Sequence, residues 1–329
     1  TGTWSWTLSL MAFMASELTH GWQKGPVSGW PSREDDTRRR IAVETRERAG
    51  SNETIQAPPT PSTAMPYADD GDASIHYEVG GDGATGETVV LLADAGYGAW
   101  QWSWQYPALA GRFEVVVPDL RGAGDSESAD EYGVAAMADD LDAVLADWGV
   151  RKAHLVGAGL GGMVALRYAL DHTRAASLAL LGTSSGGPRA EPIPPEVRDR
   201  LAVGADDPDA IRRSLEPVAG EDLLASDDLV ERIVDWRLAE DADREVTRSH
   251  LDAMADFDAS GRLYEITTPA LVLHGASDRA VPPENGRLLG EGLPNGEFRE
   301  FPGEHLFFVS HSKAVNDALV GFLEEQRAD

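Results

Sequence analysis

His154-Leu-Val-Gly-Ala-Gly-Leu-Gly-Gly-Met-Val-Ala-Leu-Arg-Tyr-Ala-Leu, residues 154–170, decides the fold. An apolar run suited to a buried strand passes into a glycine-packed turn and then into a helical apolar pattern. Glycines at 157, 159, 161 and 162 imply backbones that approach too closely for side chains. Outward from this stretch, strand-like and helix-like runs alternate. Ser74–Val79, Thr88–Ala93, Phe113–Pro118, Ala153–Gly157, Ser177–Gly182, Ala270–His274 and Glu297–Phe301 read as strands. Val115-Val116-Val117 and Leu271-Val272-Leu273 are unbroken apolar runs, as parallel strands covered on both faces require. Helical patterns fall between them at Val134–Trp148, Leu160–Leu170, Pro283–Leu293 and Val315–Gln326. This alternation predicts an α/β fold, a mostly parallel doubly wound sheet with helices on both faces.

Gly187–Leu263 breaks the rhythm. It offers no strand but four helical stretches, Pro195–Val203, Asp209–Leu215, Asp227–Ala239 and Arg244–Met254, and reads as a helical lid inserted between two strands. The core is then 65–186 with 264–329, and the lid 187–263. Residues 1–64 hold a charge cluster, Arg33–Arg40, and a Pro/Ser/Thr-rich stretch from Ala57, and are expected to be a poorly ordered extension. Trp4, Trp6, Trp22 and Trp30 would suit a short partner-binding arm instead.

The glycine-packed turn resembles the nucleophile elbow of the α/β-hydrolase family, G-x-S-x-G, in which a strained turn lifts a serine above the sheet. Further motifs extend the resemblance from about Met65 to the C-terminus. Asp119-Leu-Arg-Gly-Ala-Gly-Asp-Ser is similar to the family's D-x-R-G-x-G-x-S turn. Leu271-Val-Leu-His-Gly-Ala-Ser-Asp resembles the segment that carries the triad acid, which implies that role for Asp278. Pro302-Gly-Glu-His-Leu-Phe-Phe resembles the histidine loop and implies the base at His305. The order nucleophile, acid, histidine is the family's own. Two positions depart from it. The serine position is Gly159, with no side chain, and the oxyanion strand ends in Ala93-Asp94 where members usually have His-Gly. By resemblance the oxyanion donors are the N–H groups of Ala95 and Leu160. Asp94 is expected either to face solvent as a turn residue or to sit in the pocket, where its charge would oppose a developing oxyanion. Trp100 and Trp102 are candidates for the pocket wall.

Without a hydroxyl at 159 no acyl-enzyme can form there, and serine-type turnover is expected to be lost or very weak. The resemblance implies descent from hydrolases of small carboxylic esters or lactones. Two other readings stay open. One is a non-catalytic member that binds a small apolar ligand or a partner, as in the N-myc downstream-regulated proteins, which resemble this case in having glycine-rich elbows. The other is a serine-independent enzyme in which His305, oriented by Asp278, acts as general base on a substrate or on a water in the space vacated at Gly159. If only the serine is missing, Gly159→Ser should restore ester hydrolysis. Gly182-Thr-Ser-Ser-Gly also fits G-x-S-x-G, but a proline-rich stretch follows it instead of a helix, which argues against Ser184 as nucleophile.

Composition narrows the rest. Of 329 residues, 56 are acidic and 28 basic, a net charge of −28. Residues 1–64 hold seven of each, so the remainder carries 49 acids against 21 bases. Lysine occurs only at 24, 152 and 313. So negative a field repels nucleic acid and anionic lipid, and acid excess with scarce lysine resembles proteins of salt-loving microbes. With no cysteine, disulfides and thiol nucleophiles are excluded. No apolar run is long enough to span a bilayer, and a cytoplasmic location is expected. The remaining histidines, 20, 76, 154, 172, 250, 274 and 311, lack metal-ligand spacing, so no metal is expected. There is no P-loop, and Gly157–Gly162 is read as an elbow rather than a dinucleotide turn, so no cofactor is expected.

Overall fold

In a computed structural model, residues 66–326 apart from positions 70 and 82 are described. The extension expected over 1–64 lies outside the described residues. Eight strands form one sheet in the order β1-β2-β4-β3-β5-β6-β7-β8. They are β1 (Tyr67–Asp69), β2 (Ser74–Gly80), β3 (Thr88–Leu92), β4 (Glu114–Pro118), β5 (Ala153–Ala158), β6 (Ala175–Leu181), β7 (Ala270–Gly275) and β8 (Gly296–Phe301). β1 and β2 pair antiparallel, β2 pairs antiparallel with β4, and all later pairings are parallel.

Period two explains the sheet's two cores. Val89, Leu91, Val115 and Val117 point to one face, where they meet α1 (Tyr106–Ala110) through Leu109. Val90, Leu92 and Val116 point to the other, against α2 (Val134–Asp147) and α3 (Gly159–Asp171). β3, β5 and β7 are buried along their whole length. The edge strand β8 instead carries exposed Glu297, Arg299 and Glu300, which discourage pairing with another chain.

Between β6 and β7 stand five α-helices, α4 (Pro195–Leu201), α5 (Pro208–Leu215), α6 (Glu221–Leu224), α7 (Asp227–Glu240) and α8 (Arg244–Asp256). The sequence pattern locates four of them. The one-turn α6 is too short to show a period. Asp207 and Asp243 cap α5 and α8 by accepting the N–H of Ala210 (2.9 Å) and Val246 (2.8 Å). After β7 come α9 (Pro283–Gly292), then β8, α10 (Phe307–Ser310) and α11 (Ser312–Glu325). Among the described residues no helix is long and apolar enough to cross a membrane.

The strand order reverses between β3 and β5, because β4 lies on the other side of β3. A crevice at such a reversal, beyond the carboxyl ends of the strands, is where open α/β sheets place ligand chemistry. Asp94 follows β3, Gly159 follows β5, Asp278 follows β7 and His305 follows β8.

Candidate active site

The turn at 157–162 has the tight packing its glycines imply. A Cβ on Gly157 would strike the carbonyl of Gly161, and one on Gly161 the carbonyl of Leu92. Gly159 sits at φ +46°, the left-handed conformation of an elbow residue. Thr183 Oγ1 donates to the Gly159 carbonyl (2.6 Å) and ties the turn to the end of β6.

The space over Gly159 is not vacant. A Cβ there would overlap the carboxylate of Asp94. Asp94 is buried, and its own N–H donates to Gln101 Oε1 (2.9 Å). Its Oδ1 accepts the N–H of Ala95 (2.7 Å) and of Leu160 (2.8 Å). These are the two donors expected for an oxyanion. The placement corrects the expectation of a solvent-facing turn: Asp94 is buried on the cavity wall, and its own charge takes the two donors instead of opposing an oxyanion beside them. The carboxylate is in the hole, where two backbone donors and the N-terminus of α3 favour a negative charge. It also corrects the expectation of a water over Gly159, because Asp94 fills that volume.

His305 joins the groups. Its Nδ1 lies 2.7 Å from Asp278 Oδ2 and its Nε2 lies 2.9 Å from Asp94 Oδ2. Asp278 is both a turn residue and a histidine partner. Its Oδ1 accepts the N–H of Ala280 (2.9 Å) and Val281 (2.8 Å), which leaves Oδ2 for His305, with His274 Nε2 3.3 Å away. Burial opposes charge on His305, but the Asp278 carboxylate and the hydrogen bonds to Asp278 and Asp94 outweigh it, and its pKa is pushed up to about 10. Burial likewise opposes charge on Asp278, yet the His305 cation and the bonds from His274 and His305 hold it down at about 2. At neutral pH this is an imidazolium paired with the Asp278 carboxylate on one nitrogen and hydrogen-bonded to Asp94 on the other. Such a histidine holds a proton to give, and must lose it before it can act as a base.

Beside Asp94 and His305 lies a cavity of about 20 Å³, room for roughly one water. The helical insertion contributes Leu201, Leu251 and Met254 to its wall, and the sheet side contributes Tyr97. Trp100 and Trp102 do not line it. Trp102 is fully buried and stacks on Phe308 at 5.8 Å, and the Trp100 indole donates to Asp241 Oδ1 (2.7 Å). Their alternation marks core positions on the loop after β3. Ser184, in the second G-x-S-x-G, accepts the Gly186 N–H (3.0 Å).

His250, which the sequence groups only with the histidines lacking metal-ligand spacing, holds the loop that carries Asp94. Its Nδ1 accepts the Gly96 N–H (3.1 Å) and its Nε2 donates to the Arg121 carbonyl (3.0 Å). Burial lowers its pKa to about 4, so the ring is neutral, as this pairing demands. The D-x-R-G-x-G-x-S turn thereby buttresses the site from behind. Arg121, fully buried, meets Asp140 through Nε–Oδ2 and Nη2–Oδ1 contacts of 2.8 Å each. More links join the same loop to the insertion. Gly98 N–H donates to Asp241 Oδ1 (3.2 Å), Trp100 N–H to Glu240 Oε2 (2.8 Å), and Ala242 N–H to the Gly96 carbonyl (2.9 Å). Arg237, buried, pairs with Asp241 at 2.6 Å and lies 4.5 Å over the Tyr97 ring. No sequence motif flags His250; the nearest signal to the role of Asp94 is that a side chain appears at 94 where one is lost at 159.

Gly157, Gly159 and Gly162 also carry the G-x-G-x-x-G spacing of a dinucleotide turn, contrary to the reading of this stretch as an elbow alone. The Leu160 N–H at the helix start, which would face a pyrophosphate in such a turn, is taken by Asp94. Among the described residues no His, Cys, Asp and Glu group is arranged to hold a metal ion.

The sequence profile of the alpha/beta hydrolase family matches residues 89–318. Among curated proteins, the chain is 35% identical over 263 residues to a Caulobacter vibrioides protein named as carbamate hydrolase RutD, spanning 76% of this chain and 95% of that one. It is 31% identical over 274 residues to a 2-hydroxy-6-oxononadienedioate/2-hydroxy-6-oxononatrienedioate hydrolase of Cupriavidus pinatubonensis, across 77% and 92% of the two chains. Among solved structures, the enol-lactonase of Burkholderia xenovorans superposes with a TM-score of 0.70 at 25% identity, covering 79% of this chain and all of that one. A hydrolase from Pseudomonas aeruginosa gives 0.68 at 28% identity over 76% and 94%.

Proposed function

We propose, for a chain that belongs to the alpha/beta hydrolase family, a site that has abandoned acyl-serine turnover and works instead through the buried array Asp94–His305–Asp278. The observation that carries this reading is the seat of Asp94, with one oxygen in the hole and the other on His305. Descent is from hydrolases of small carboxylic substrates, in keeping with relatives named for a carbamate, an enol-lactone and an oxo-dienedioate. The helical insertion acts as the lid, since it supplies Leu201, Leu251 and Met254 to the cavity, and the ligand it admits is small and apolar or ester-like.

A second reading, a pocket that binds such a ligand without turning it over, draws support from the filled hole and the water-sized cavity. The test of the first claim uses a serine-directed phosphonate with p-nitrophenyl esters. The wild-type protein is expected to form no phosphonyl adduct and to hydrolyse the esters at background rate. Asp94→Gly/Gly159→Ser, which empties the hole and restores the hydroxyl together, is expected to gain both. A phosphonyl serine in the wild-type protein sinks the reading.

A further inference from the structure

Asp94 stands where the sheet no longer holds the chain. The last register pair of β3 with β5 is Leu92 with Gly157, and with β4 it is Val90 with Val116. Beyond Ala158 the neighbouring strand passes into the elbow. The Asp94 N–H therefore has no ladder partner, and a buried backbone donor needs one. Gln101 supplies it through Oε1, at 2.9 Å. The Asp94 carbonyl accepts the Tyr97 N–H (3.1 Å), which closes a turn through Gly96 at φ +73°. Both ends of the Asp94 backbone are thus fixed, the carbonyl inside its own turn and the N–H by a single side chain.

From this we infer that Gln101 is a positioning residue for the array: by holding the Asp94 N–H it aims the Asp94 carboxylate, with Oδ1 in the hole and Oδ2 on His305. That role presupposes the array proposed above. What Gln101 gives up points the same way. It is wholly buried on the 3-10 turn Ala99–Trp102, and its Nε2 makes no hydrogen bond among the described residues. A backbone N–H only donates, so the carboxamide must turn its oxygen to Asp94 and leave Nε2 without a partner. A buried amide with half its capacity unused destabilises the fold, where a hydrocarbon side chain of similar bulk would not. The bond to Asp94 is what the glutamine contributes against that penalty.

The seat of Asp94 is demanding. Its two donors come from separate segments, Ala95 next in the chain and Leu160 at the start of α3. One oxygen reaches both, at 2.7 and 2.8 Å, only over a narrow range of backbone settings at 94. Within that range Oδ2 lies 2.9 Å from His305 Nε2. Without the Gln101 bond the end of β3 is free to turn, and the carboxylate swings with it. His305 then keeps Asp278 on Nδ1 and loses the second acceptor that holds its proton. Gln101 acts on that proton through Asp94.

The ring of His305 is the reporter, followed by nitrogen NMR of histidine-labelled full-length protein through the neutral and alkaline range and assigned by its loss in His305→Gln. Gln101→Met, similar in length but without the acceptor oxygen, should lower the midpoint by about one pH unit. That is the tenfold loss of proton affinity expected when one charge-assisted hydrogen bond goes. Gln101→Glu, which keeps an oxygen for the Asp94 N–H, should show no fall. In the wild-type protein the Asp94 amide should exchange slowly with deuterium. An unchanged midpoint in a cooperatively melting Gln101→Met, or an equal fall in Gln101→Glu, overturns the role. Rapid exchange at the wild-type Asp94 amide does so without any variant having to fold. A wild-type His305 that titrates near 6.5 removes the seat of Asp94 itself, and the role of Gln101 with it, whereas the other failures leave that seat standing.

Discussion

Gly159→Ser, the obvious repair, is expected to damage the protein unless Asp94 goes with it. The added Cβ would lie inside the Asp94 carboxylate, so Oδ1 must leave both N–H donors. A hydrogen bond to a charged group contributes about 1.5 kcal/mol at the low end, which makes about 3 kcal/mol for the two. Holding a side chain at φ +46° adds about 1 kcal/mol. The single variant should therefore lose about 4 kcal/mol, or roughly 8–16 °C in Tm at this chain length. Asp94→Gly alone forfeits three bonds, those two and the one to His305, and should lose about as much. Additive losses would consume most of a typical folding free energy. In the double variant, however, Asp94 is no longer there to be displaced, and only the conformational cost of position 159 is added to its removal. The double should thus sit about 1 kcal/mol below Asp94→Gly, a coupling of about 3 kcal/mol. Urea unfolding followed by circular dichroism at high salt measures all four corners of the cycle. Additive penalties would refute the claim that Asp94 occupies the nucleophile's volume.

The charged array predicts how stability depends on pH. The pKa of His305 is raised on folding from 6.5 to about 10, so its contribution is complete below pH 6.5 and is lost as pH rises through 10. Burial, only partly offset by the Trp100 N–H, lifts Glu240 to about 8, and this adds a penalty that grows between pH 4.5 and 8. Both signs agree, so Tm should fall steadily from pH 6 to 10; a flat profile in calorimetry contradicts the paired imidazolium. His250→Ala leaves the Gly96 N–H and Arg121 carbonyl without their partner and should cost about 2–4 kcal/mol in a urea titration; an unchanged midpoint would show that the loop stands by itself. Arg237→Ala strands the buried Asp241 carboxylate and should cost about 3–5 kcal/mol, read by the same titration. Finally, Tm should climb as potassium chloride screens the net charge of −28, and a decline on adding salt would count against self-repulsion as the main surface effect.

The architecture was legible because its signals are periodic or crowded. Val115–Val117 and Leu271–Leu273 could be nothing but covered strands if the register held, and the glycines of 157–162 announced the close approach of β5 and α3 before any contact was known. Asp278 and His305 were legible by motif and chain order. The three-residue β1 and the five-residue α1 were not, since neither is long enough to complete a pattern. Asp94 was half legible. Its position after β3 made it a neighbour of the elbow, but whether a turn residue points to solvent or inward is set by one or two backbone dihedrals and by what stands opposite. Here the missing side chain at Gly159 leaves room for it, and that is a fact about the ends of two strands far apart in sequence. Trp100 and Trp102 failed for a related reason: alternate burial on a loop marks core and pocket wall equally well.

The stitching between the loop after β3 and the insertion has a mechanical corollary. Gly96, Gly98 and Trp100 are fastened to Glu240, Asp241, Ala242 and His250, and the carboxylate of Asp94 rides on the same short span. Under the proposed lid role, any displacement of these helices pulls on the loop after β3 through the same bonds, so the seat of Asp94 would shift whenever the insertion does.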